Sequence, residues 1–177
     1  MIRHGYRMAI VLIALVAVGG GCMPGAVEIA REQIIERGTP SNYLTCAEAV
    51  VPAPDTAIIP PGGGTLRSGN NELRIPRRAL PDERRFILSV VDSTRNGRPD
   101  TVGVIIDAGR PVDFNGRTAV LTIDLSACRP EDVNNQEGWS VWRINRSGGP
   151  SAKLWGIVVH PRAIVHIDSA SVFMIAN

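Results

Sequence analysis

His166 and Asp168 stand two residues apart near the C-terminus, with Ser169 and Ser171 close behind. Residues two apart on a strand share a face, so an imidazole and a carboxylate could meet there with a serine as nucleophile. Ser169 falls on the opposite face of such a strand, which makes a solvated strand face the default reading and leaves no catalytic residue assigned. The segment DSTRNGRPD (92–100) offers Asp92, Thr94, Asn96 and Asp100 as oxygen donors around Gly97. A calcium loop closes on an acidic residue at its twelfth position, which here is Gly103. A hairpin turn built on Asn96-Gly97 accounts for the same letters, so no metal or cofactor is expected.

Two further groups have chemistry to offer a partner. Trp139, Trp142 and Trp155 could stack on sugar rings, although tryptophans in a small β domain more often fill its core. Strand alternation allows at most one of Trp139 and Trp142 to point inward, and the other is then exposed or covered by a loop. In RRALPDERR (77–85), Arg77, Arg78, Arg84 and Arg85 bracket Asp82 and Glu83. The loop reads either as an internally neutralised, solvated segment or as a binding surface for an anionic partner.

The elements that must position these residues begin after a leader. A basic start, MIRHGYR, precedes the eleven-residue apolar run MAIVLIALVAV (8–18), which is the layout of a secretory signal. The run falls short of the roughly 20 residues of a membrane-spanning helix. It ends in GGGC, which resembles a bacterial lipoprotein signal, where small residues precede a cysteine that is acylated and becomes the new N-terminus. Residues 1–21 would then be the signal peptide and Cys22 the lipidation site, tying the chain to the membrane on the periplasmic or surface side of the envelope. Gly19 occupies the place where that family usually carries leucine, so the alternative is cleavage near the glycines and a secreted chain.

With Cys22 set aside, Cys46 and Cys128 remain as an even pair in an oxidising compartment, where a disulfide is the staple to look for. No CxxC spacing or nearby histidine suggests zinc. Formal charge is +2, but Arg3 and Arg7 lie in the leader, so from Cys22 onward basic and acidic side chains balance. That balance lacks the basic field nucleic-acid binding needs.

AVEIAREQIIER (26–37) spaces Ala26, Ile29, Ala30 and Ile34 as a short amphipathic helix, ended by Gly38 and Pro40. VVPAPDTAIIPPGGG (50–64) reads as an extended connector, so residues 22–62 form an N-terminal arm. Beyond it, LRIP (73–76), FILSVV (86–91), VGVII (102–106), AVLTIDL (119–125), WSVWRI (139–144), LWGIVV (154–159), AIVHID (163–168) and SVFMIA (171–176) recur with turn residues between them. This spacing predicts an all-β fold, an antiparallel sandwich of about eight to nine strands over 63–177.

GGGTLRSGNNELRIPRRAL resembles the opening of the ZU5 domain and its bacterial relatives, through Gly63, Gly64, Leu66, Leu73, Ile75, Pro76, Ala79 and Leu80. GRPVDFNGRTAVLTIDL, with Gly109, Phe114, Val120, Leu121 and Ile123, and the closing LWGIVVHPRAIVHIDSASVFMI are similar to later segments of that family. The resemblance implies a β-sandwich used for contact with other proteins. Self-cleaving members carry His-Phe-Ser in the last turn, where this chain has Ser169, Ala170 and Ser171, so self-cleavage is not implied. The expected function is therefore that of an envelope protein-interaction or structural module that is not an enzyme, with a carbohydrate-binding module or a hydrolytic enzyme as the alternatives.

Overall fold

The computed structural model describes residues 32–46, 51–91, 101–134, 138–147 and 149–177. The leader, Cys22 and the segment 92–100 lie outside the described residues. Among the described residues are twelve strands: β1 (Ile34–Gly38), β2 (Asp55–Ile59), β3 (Gly64–Ser68), β4 (Asn71–Ile75), β5 (Arg84–Val90), β6 (Gly103–Asp107), β7 (Ala119–Asp124), β8 (Ser140–Ile144), β9 (Ser151–Leu154), β10 (Gly156–Val159), β11 (Arg162–Ile167) and β12 (Val172–Ala176). A five-residue helix, α1 (Pro130–Asn134), follows β7.

The strands form two antiparallel sheets, one in the order β1-β9-β8-β12-β6-β5-β2 and the other β10-β11-β7-β4-β3. Alternation builds the core between them. In β7, Ala119, Leu121 and Ile123 are buried while Val120, Thr122 and Asp124 are half-buried on the outer face. In β11, Ala163, Val165 and Ile167 face inward in the same way. Phe86 from one sheet and Phe114 from a connecting loop fill the middle, with ring centroids 6.3 Å apart.

Three expectations change. Ile34–Gly38 is an edge strand rather than the end of a helix, while residues 26–31 lie outside the described residues. Its Ile34 and Ile35 are exposed, so the described end of the expected apolar stripe, Ile34, is not buried. The arm expected over 22–62 gives β1 and β2 to opposite edges of the seven-stranded sheet, so both strands belong to the sandwich body. The single strand expected over 154–159 is two, because the chain leaves one sheet at Leu154 and enters the other at Gly156. These additions, together with β3, raise the strand number above the expected eight to nine.

Glycine makes two of these turns. Gly63 has φ +82° and lies so close to Ile75 that a Cβ would meet its carbonyl oxygen at 2.6 Å, which closes the turn into β3. At the sheet crossover, a Cβ on Gly156 would meet the Ile164 carbonyl oxygen at 2.7 Å. Cys46 and Cys128 are joined by a disulfide with Cα atoms 4.7 Å apart. Leu44 donates to Ile175 and accepts from Val102, fixing the segment before Cys46 to the seven-stranded sheet. Cys128 follows β7 of the other sheet, so the bridge staples the two layers.

Candidate functional site

His166 and the serines behind it are not brought together. His166 lies on the outer face of β11, with Nδ1 3.5 Å from the Thr118 hydroxyl oxygen. Asp168 and Ser169 lie past the end of the strand and turn to Arg143 of β8. Arg143 Nη1 donates to Asp168 Oδ1 at 2.7 Å and to Ser169 Oγ at 3.0 Å, and Ser169 Oγ donates to Asp168 Oδ1 at 2.8 Å. The same Nη1 is 2.7 Å from Glu32 Oε1, and Glu32 Oε2 accepts from the Asp168 backbone N–H at 3.0 Å.

Glu32 is the buried member of this cluster, with its side chain 1% exposed. Burial pushes its carboxyl up to about 7, against the opposing pull of the Asp168 N–H and the Arg143 charge. Neither Glu32 nor Arg143 stood out in the sequence. The available signal was register: Arg143 shares a strand face with the fully buried Val141, and an arginine on a core-facing row requires an acidic partner.

Arg143 also lines an open cleft of about 740 Å³, where β6 and β8 end and β9 and β12 begin. Arg37, Arg110 and Arg146 share its lining with Asp107 and Asp113. Arg37 sits opposite Ala152, and Ala152 opposite Arg143, which puts the two arginines two strands apart, about 10 Å, with only a methyl group between them.

The tryptophans are dispersed. Trp142 is 3% exposed beneath Lys153, whose Nζ is 5.9 Å from the ring centroid. Trp139 packs on the core and donates Nε1–H to the Asp132 carbonyl oxygen at 3.0 Å. Only Trp155 is exposed among them, so no pair forms a stacking platform.

Trp155 instead belongs to an apolar surface. Trp155, Ile157 and Val159 alternate along the crossover and β10, so they project on one side, and all three are more than half exposed. Ile157 pairs across the hairpin with Ile164, itself exposed at 38%. The backbone here is held firmly: Trp155 N–H donates to the Gln33 carbonyl oxygen at 2.8 Å, and His160 N–H to Asn134 Oδ1 at 3.0 Å. Four large apolar side chains on a rigid edge hairpin form a patch of the kind that marks an interaction surface.

Arg77, Arg78 and Arg85 are exposed and Arg84 is half-buried. None of the four makes an ion pair with Asp82 or Glu83 among the described residues. They do not line the arginine cleft. Ser169, Ala170 and Ser171 border that cleft, with Ser169 engaged by Arg143. Compared with known proteins, the chain matches no family model, no curated protein and no solved structure.

Proposed function

We propose that this chain is an exported envelope domain, anchored through an acylated Cys22, that acts as a protein-interaction module. The observation that carries the binding role is the patch of Trp155, Ile157, Val159 and Ile164 on the edge hairpin. Burying those side chains against a partner removes apolar surface from water at about 25 cal/mol per Å². The partner is a protein with a complementary apolar face, since the patch is open rather than a pocket for a small molecule.

The address is supported by the cysteines. A Cys46–Cys128 bridge suits an oxidising compartment. It also leaves Cys22, at the end of the apolar run, as the one cysteine outside the pair. The ZU5-like reading is part of the same proposal. Its support is that the matching residues do structural work: Gly63 makes the turn, Pro76 follows the last residue of β4, and Ile75, Ala79, Leu80 and Phe114 lie in the core.

A photo-crosslinking residue placed at Ile157 in cells is expected to trap one discrete protein. The same residue at Thr65, exposed on the strand at the other edge of the same sheet, is expected to trap none. No adduct at Ile157, or the same adducts at both positions, would overturn the reading.

A further inference from the structure

The arginine-lined cleft is built from other residues than the apolar patch and supports a separate binding activity. We propose that it is a site for a monocarboxylate carried on a short apolar body, of which the free C-terminus of a peptide is the simplest form.

Arg143 is prepared for such a ligand. Its Nη1 donates to Asp168 Oδ1 and Ser169 Oγ and lies 2.7 Å from Glu32 Oε1, which fixes the plane and position of the guanidinium. Its Nε and Nη2 have no acceptor among the described residues, and the side chain keeps 21% of its surface exposed at the cleft. Those two nitrogens form one edge of the guanidinium fork, whose spacing matches the two oxygens of a carboxylate. Because Glu32 is almost fully buried, the orientation is imposed from within the protein and does not depend on the ligand.

The surroundings choose the ligand's charge. Arg37, Arg110 and Arg146 are exposed around the cleft and make no ion pair among the described residues. They attract an anion. Asp107 and Asp113 lie in the same lining, and Glu32 and Asp168 stand behind Arg143. Asp107 Oδ1 is engaged by the Gly109 N–H at 2.7 Å, which holds it at the cleft. The carboxylates of Asp107, Asp113 and Asp168 close to the site penalise a second negative charge, so a monoanion is preferred to a phosphate dianion.

Apolar lining supplies the rest. Ala108, Pro111, Val112, Pro150 and Ala170 line the cleft, and Ala152 lies beside Arg143 on the same face of the sheet. A volume of about 740 Å³ is that of an ordinary small-molecule site and accepts one or two residues of a peptide.

Calorimetric titration of the full chain with N-acetyl-valyl-leucine, with the same dipeptide capped as its amide, and with inorganic phosphate tests the assignment. The free acid is expected to bind saturably, with the amide at least about tenfold weaker for loss of a charge-assisted, two-point contact. Phosphate is expected to bind more weakly than the acid. The double variant Arg110→Gln, Arg146→Gln is expected to lose about tenfold in affinity for the acid with an unchanged melting temperature, because neither side chain has an ion-pair partner among the described residues. Arg67→Gln, on β3 of the other sheet, should bind like the parent protein. Equal binding of acid and amide, tighter binding of phosphate, no saturable binding of the acid, or a double variant that binds as well as the parent would each overturn the proposal.

Discussion

Replacing both Cys46 and Cys128 by serine is expected to lower the unfolding free energy by about 4 to 5 kcal/mol, the chain-entropy value for a loop of this size. The bridge closes a separation of 82 residues, which is why the expected effect is large. Position adds to length. The segment before Cys46 is bonded to Ile175 and Val102 in one sheet, whereas Cys128 follows β7 of the other, so cutting the staple frees the layers to separate. Urea unfolding of the parent and the double variant measures the difference. A loss below about 1 kcal/mol would mean that the reduced chain retains the same restriction by other means.

Arg143→Met is the second large effect, and its pH dependence is what makes it diagnostic. The folded protein holds the Glu32 carboxyl at about 7, against an ordinary value near 4.5, so the native state binds this proton more tightly than the unfolded chain does. Stability from this group is therefore greatest at low pH and falls as the pH rises through the interval from 4.5 to 7. The fall is on the order of 2 kcal/mol. Glu32→Gln should flatten it while keeping an acceptor for the Asp168 N–H.

Removing the Arg143 guanidinium takes away a charge that favours ionised Glu32, and it strips Asp168 and Ser169 of their shared donor. At pH 8 the loss is expected to reach about 3 kcal/mol, the scale for breaking a buried pair from one side. At pH 5 Glu32 is protonated in both proteins, and the loss should shrink by about half. Denaturant titrations at the two pH values decide it; equal losses would contradict the account of the cluster.

What could be read in the sequence follows from what alternation can encode. AVLTIDL has one wholly apolar side, Ala119, Leu121 and Ile123, opposite a side that carries Thr122 and Asp124, and β7 buries the apolar side as expected. LWGIVV is apolar on both sides, so its pattern identifies a strand but cannot say which residues meet solvent. The exposed patch at Ile157 and Val159 was hidden for that reason. The crossover at Trp155 was hidden as well, since it rests on the close approach of Gly156 to Ile164 rather than on a break in hydrophobicity.

The helix expected at 26–37 gives way to strand over 34–37 because a short run offers two periods at once. Ile34 and Glu36 fit a strand as well as a helix, and pairing with β9 decides between them. The cluster around Arg143 was unreadable for a different reason. Glu32 and Asp168 are separated by most of the domain and meet only because β1 is carried to the edge beside β9. Asp168 and Ser169 stand out in the sequence by chemical type, and the fold gives them Arg143 in place of His166.

An exported domain tethered by Cys22 and stapled by Cys46 and Cys128 is tested most directly by the intact mass of the chain isolated from the membrane fraction. The account predicts a protein that begins at Cys22, carries the added mass of its acyl chains, and is lighter by the two hydrogens of one disulfide. A chain with another N-terminus and no acyl mass, or one whose Cys46 and Cys128 are free thiols, would contradict it.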